Sequence, residues 1–311
     1  MLEIFATTAP IFCLIILGYV AVKTRLMPTD ALPGLGRFVM YFTLPALIFD
    51  TLVHMDFADV IEPRFLLAYG IGSLLSFSIG LLIAKKLLNN NLTGSGIKAL
   101  GMSMSNSAFF GLPVLILVFD DPPTVAFTMA LIIENMLLFP VALMTIEYAN
   151  GKGENQSLLQ IWKSVIKRVT RNPLIIAIVA GFIGSALQIR FPAPVNESLH
   201  MLSAASATTA LFVIGGSLVG STIKGNMVEI STVIVGKLLM HPLCVALAVL
   251  CIPGLSPELR LAAILLAAMP MMSIYPIIGG NYGYRSICAS ILMGATMVSF
   301  ISIAAILGIL L

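Results

Sequence analysis

Between Arg64 and Lys85 lie twenty consecutive residues without a charge, FLLAYGIGSLLSFSIGLLIA. At 1.5 Å per residue such a run forms a helix about 30 Å long, the thickness of a bilayer's hydrocarbon core. Comparable apolar windows recur along the 311 residues and predict helices over 2–22, 33–53, 65–88, 97–119, 123–148, 172–189, 196–221, 229–252, 259–283 and 286–310. No window alternates with the period of a strand, so a membrane barrel is not expected. The predicted fold class is an all-α membrane protein of ten transmembrane helices.

Charge supports that reading. Only 10% of the residues are charged, against about a quarter in soluble domains. A net charge of +3 is too small to point to nucleic acid. The first segment opens MLEIF, with an acid where a cleaved secretory leader carries lysine or arginine, so it is expected to remain as a helix. Cys13, Cys244, Cys251 and Cys288 sit inside apolar runs without metal-ligand spacing and read as small hydrophobes. No metal, cofactor or catalytic residue is expected.

If successive connections alternate sides, 14 of the 17 basic residues fall on one side, with Arg64, Arg190 and Arg260 opposite. Lys98 and Lys237 are counted with the majority. The excess marks that side as cytoplasmic and places both termini outside. The longest connection, 149–171, is then cytoplasmic and separates two halves, 1–148 and 172–311. Its second part, LLQIWKSVIKRVTR, alternates apolar and basic faces at helical spacing, with Trp162 as an anchor. It predicts a helix lying along the inner membrane surface or a solvated one.

At an offset of 163 residues, Pro10 falls on Pro173, Gly18 on Gly181 and Pro113 on Pro276. Five helices per half make the two halves enter the membrane in opposite senses, an inverted repeat of the kind found in secondary transporters. The fourth helix reads MSNSAFFGLPVLI and the ninth AAMPMMSIYPIIGGNYG. Proline inside a helix removes a donor and clashes with the preceding turn, costing about 3 kcal/mol. Broken backbone cannot face lipid, so both interruptions must be buried or line a cavity. Two helices broken at matching depth point to a transport site. Second half-helices starting near Leu112 and Pro276 would aim their N-termini at the membrane centre and favour an anion. Asn106, Ser107, Gly111 and Pro113 in the fourth helix and Pro270, Ser273, Tyr275 and Pro276 in the ninth are the candidate substrate-binding residues.

Further polar groups lie at depth. Glu134 and Asn135 sit about eleven residues into the fifth helix, roughly 16 Å by helical rise. Ionisable groups there imply function by default, and Glu134 is a candidate proton carrier or counter-charge; a neutral, hydrogen-bonded carboxylic acid is the alternative. In GKLLMHPLC, Lys237 and His241 share a helix face. Lys237 can pair with an anionic substrate or with Glu134, or snorkel to the cytoplasmic interface. His241 can titrate or serve packing. These four residues are the candidates for coupling or charge compensation.

Four stretches carry a resemblance: TLPALIFDTL in the second helix, SNSAFFGLP in the fourth, GKLLMHP in the eighth and AMPMMSIYP in the ninth. Together, in this order, the sequence resembles the auxin efflux carrier family, which includes plant carriers and bacterial malonate-type carriers. Asn106 followed by Gly111 and Pro113 matches the family's fourth-helix pattern, and Lys237 followed by Pro242 its eighth. The resemblance implies broken fourth and ninth helices crossing at the centre, a scaffold part and a moving part, carboxylate substrates and elevator-like alternating access. The central connection is short beside that of plant members. Met271 stands where they carry a polar side chain, which speaks against auxin as substrate. The expected function is a secondary carrier of small mono- or dicarboxylate anions in a bacterial inner membrane. A passive channel or a non-transporting sensor is the alternative. The expected partners are the anion, protons, the bilayer and a second copy of the chain, and an enzyme is not expected.

Overall fold

The computed structural model describes residues 2–55, 61–119, 122–149, 170–220, 225–310 and a few positions between 159 and 223. Most of the 149–171 connection, Trp162 included, lies outside the described residues. Among the described residues every regular element is helical, apart from one isolated antiparallel bridge. Among the described residues six helices are long and apolar enough to cross a membrane: Thr29–Val53, Pro63–Lys86, Thr124–Ala149, Ala193–Ser217, Met227–Cys251 and Arg285–Gly308. The chain is a multi-pass helical membrane protein.

The elements in order are α1 (Leu2–Lys23), α2 (Leu32–Phe38), α3 (Leu44–Val53), α4 (Pro63–Lys86), α5 (Leu92–Ser103), α6 (Leu112–Val118), α7 (Thr124–Ile132), α8 (Phe139–Ala149), α9 (Pro173–Ala186), α10 (Ala193–Ser217), α11 (Met227–Val235), α12 (His241–Cys251), α13 (Pro257–Ala268), α14 (Tyr275–Gly280) and α15 (Arg285–Leu310). Side-chain caps set several starts. Asn91, Asn172, Asn226 and Ser256 each accept a bond from a first-turn N–H.

Four connections inside this series are π turns: Val39–Thr43, Ser107–Gly111, Ile133–Leu138 and Gly236–Met240. Each ends two residues before a proline: Pro45, Pro113, Pro140 and Pro242. The cause is steric. Proline clashes with the carbonyl four residues back and offers it no N–H. A wider turn moves that carbonyl aside while the preceding residue bonds one position further back. Leu44 N–H accordingly donates to the Val39 carbonyl, Phe139 to Glu134 and His241 to Gly236. The helices therefore pass through these prolines instead of stopping.

Two compact units form, each from three separate stretches. The first comprises Met1–Glu62, Ala108–Thr128 and Arg168–Gly220. Within it α1 packs on α10 so closely that a side chain at Gly18 would strike the Phe212 carbonyl, and one at Gly215 the Ile15 carbonyl. Gly181 and Gly184 of α9 likewise meet Leu52 and Val53 of α3, 2.7 Å from where a Cβ would stand. Gly18 and Gly181, matched by the 163-residue offset, are thus both close-approach positions. Pro10 lies inside α1 while Pro173 opens α9, so that pair occupies different helical positions.

The second unit comprises Pro63–Ser107, Met129–Lys167 and Ser221–Leu311. Its core gathers Phe77, Leu100, Met102, Met104, Leu138, Phe139, Met271, Tyr275 and Ile291. Small residues again set the spacing: Gly72 of α4 lies against the Val245 backbone of α12, and Gly236 against Met102 of α5.

Candidate transport site

In the second unit the chain leaves α5 at Ser103 into an extended Met104 (φ −102°, ψ 126°), and leaves α13 at Ala268 into an extended Met269 (φ −63°, ψ 151°). The two interrupted segments meet. Ser105 and Met271 form the antiparallel bridge, and Asn106 N–H donates to the Pro270 carbonyl at 2.8 Å. Each break thereby supplies partners for the backbone of the other, which is how non-helical chain is tolerated at membrane depth. The Asn106 side chain donates from Nδ2 to Ser273 Oγ at 2.9 Å. Asn106 is buried and Ser273 exposed, so the pair joins the interior of the unit to its surface.

The residues flanking Asn106 are tied by two buried ionisable groups. Ser107 Oγ donates to Glu134 Oε1 at 2.5 Å, and Tyr69 Oη donates to the same oxygen at 2.9 Å. On the other side Lys237 Nζ donates to Ser105 Oγ at 2.9 Å, to the Ala267 carbonyl at 2.6 Å and to His241 Nδ1 at 2.8 Å. An ammonium has three protons and no lone pair, so this arrangement uses every donor of Lys237. It also sets the imidazole tautomer. Nδ1 accepts, and Nε2–H donates to Ser73 Oγ at 3.0 Å. Tyr69, Ser73, Ser107, Glu134, Lys237 and His241 are all buried.

Most of the residues proposed from the sequence are drawn together here, with particular differences. Lys237 is fully buried, so it does not snorkel to an interface; its head is held by Ser105, Ala267 and His241. Asn135, beside Glu134, bonds back to the Leu131 carbonyl of its own helix at 2.8 Å. Tyr275 turns its ring into the apolar core against Gly101, and its hydroxyl has no hydrogen-bond partner among the described residues. Gly111 and Pro113 fall in the first unit, Gly111 closing a π turn and Pro113 standing second in α6. The helix after the first break begins at Ser107 and not near Leu112, because the π turn carries it through Pro113. Beyond the second break, α14 is only six residues long. The start expected near Pro276 is observed, at Tyr275, whereas the one expected near Leu112 lies five residues earlier, at Ser107.

A second buried charge cluster escaped the sequence reading. Lys98, counted there with the connections, is 2% exposed inside α5. It pairs with Glu229 at 2.5 Å, donates to Asn90 Oδ1 at 3.0 Å and lies 5.0 Å from the centre of the Tyr284 ring.

A family model described as "Membrane transport protein" matches residues 3–307. The chain belongs to the auxin efflux carrier family of membrane transport proteins. It is 26% identical to a Rhizobium meliloti (strain 1021) protein named "Putative malonate transporter", over the whole of this chain and 96% of that one. It is also 26% identical to the mouse "Lysosomal cholesterol signaling protein" over 78% of this chain, but spans only 29% of the mouse protein's length. Family membership points to a transport protein. No group of three or more His, Cys, Asp or Glu among the described residues is arranged to hold a metal.

Proposed function

We propose that this auxin efflux carrier family member is a secondary carrier of small organic carboxylates, and that the anion binds where the two interrupted segments pair. The observation that supports the reading most directly is the Asn106 side chain, presented from a bridge of extended backbone toward the exposed Ser273. An amide N–H and a hydroxyl are suitable donors for a carboxylate. Lys237 then acts as a fixed positive charge beside the site and not as a direct ligand, because its three donors are engaged. The rhizobial relative's name gives malonate as the first anion to try.

In this reading the chain forms ten spans in two inverted sets of five, in a bacterial plasma membrane with both termini outside. The unit holding Asn106 and Lys237 is carried as a body in elevator-like alternating access. The protein acts as a homodimer. A sensor built on the same scaffold is the second reading, supported by the name of the mouse relative.

The test is uptake of labelled malonate and a panel of mono- and dicarboxylates into proteoliposomes. Saturable accumulation against a gradient is expected, and Asn106→Ala should abolish it while the protein stays folded. Linear, non-saturating flux would exclude a carrier. Normal uptake by Asn106→Ala would move the site elsewhere.

A further inference from the structure

We propose that transport is coupled to protons and that the coupling proton binds Glu134 at Oε2; the coupling half of this inference rests on the carrier reading above. Both hydroxyls that reach Glu134 donate to one oxygen, Oε1. No described donor claims Oε2. A carboxyl oxygen has two lone pairs, and Oε1 can accept from Tyr69 and Ser107 equally well as half of a carboxylate or as the carbonyl of a neutral acid. A proton can therefore arrive at Oε2 and leave again without breaking either bond.

The charged and titratable neighbours are few. On α4, Tyr69 is bonded to Oε1, and its ring centre lies 6.2 Å from that of His241. From the π turn Gly236–Met240, Lys237 acts on Glu134 electrostatically. His241 faces Lys237 through Nδ1, and the flanking segment contributes the neutral Ser105, Asn106 and Ser107. Lys237 donates to three acceptors, and giving up a proton would leave one of them without a donor. Glu134 is then the group whose charge can change.

Position supplies the coupling. Ser107, which holds Glu134, is the residue after Asn106, which faces the anion. While Glu134 is ionised its negative charge repels a carboxylate at Asn106, and Lys237 balances it so that the buried pair is neutral while the site is empty. Binding H⁺ at Oε2 converts the carboxylate to a neutral acid and leaves Lys237 uncompensated, which favours the anion. The acid returns the proton on the side where the anion departs. A monocarboxylate thus travels with one proton and no net charge, the malonate dianion with one proton and one net negative charge, and the Glu134–Lys237 pair returns balanced.

Two measurements test this. Wild-type proteoliposomes, with voltage clamped by potassium and an ionophore, should accumulate labelled malonate when the outside is acidified, with protons entering alongside. Glu134→Gln keeps an acceptor oxygen for Tyr69 and Ser107 but cannot exchange a proton, and should lose all response to the pH gradient. Wild-type uptake indifferent to the gradient, or a variant responding as wild type, overturns proton coupling. Independently of any substrate, infrared difference spectra between acid and alkaline buffers should contain a protonated-carboxyl band that Glu134→Gln lacks and Tyr69→Phe shifts in midpoint. An unchanged band in Glu134→Gln overturns the proton site. A band that disappears as expected while wild type moves no carboxylate leaves the site standing and defeats the carrier reading instead.

Discussion

Tyr275→Phe offers a sharp test because the sign of its effect opposes intuition. Tyr275 has no exposed surface, and its hydroxyl makes no hydrogen bond among the described residues. It faces Gly101, where a Cβ would stand 2.8 Å from both the ring carbon and the hydroxyl oxygen. The nearby Cys288 thiol acts on it, but sulfur is a weak acceptor. A buried hydroxyl without a partner costs about 1–3 kcal/mol. Phenylalanine keeps the ring and removes that cost, so the variant should be more stable by about 1 kcal/mol or more, and should still transport. Detergent-driven unfolding in mixed micelles, followed by circular dichroism, measures the first, and proteoliposome uptake the second. A loss of more than about 1 kcal/mol would show that the hydroxyl has a structural partner in the native protein. Lost transport in a well-folded variant would show that it meets the substrate. Either result refutes the assignment of Tyr275 to packing.

Two further substitutions bear on the buried charges. Lys98→Met strands Glu229, which retains 16% exposure; water recovers part of the loss, and a cost near the lower end of about 3–5 kcal/mol is expected in the same unfolding assay. Adding Glu229→Gln should restore part of it, a non-additive result that independent contributions would not give. Lys237→Met leaves the Ala267 carbonyl and His241 Nδ1 without donors, about 1–3 kcal/mol each; Ser105→Ala removes one acceptor and should cost less.

The extents of the long helices were legible because uncharged runs of this length have few other uses. The two interruptions were legible too, since Asn106, Pro113, Pro270 and Pro276 are costly inside lipid-facing helices. Where each break falls was less legible. A proline marks an upset in the turn before it, and whether the chain answers with an open break or a π turn depends on what lies alongside. At Met104–Asn106 a second extended segment was available to pair; at Pro113 the helix widened and continued. The partners of the ionisable groups were hidden for another reason. Tyr69, Ser73 and Ser105 are unremarkable in apolar helices, and they meet Glu134, His241 and Lys237 across 65, 168 and 132 positions of chain. Lys98 reads from the sequence as the edge of a helix because the apolar window begins at 97, whereas α5 starts five residues earlier, at Leu92, and carries Lys98 inside it. The sequence does carry a common pattern for these groups: Ser107, Glu134 and Lys237 each stand five or six residues before a proline, inside a π turn.

Those turns carry one residue more than an α-helix needs over the same rise. Adding or removing a single residue ahead of such a proline would turn everything upstream by about 100° around the helix axis. The apolar face beyond the proline would be undisturbed. A lineage of proteins with this architecture can thus redirect an acid, a lysine or a serine toward new neighbours by small insertions and deletions, leaving the lipid-facing surface as it was. The prolines mark the places where such changes in phase are absorbed.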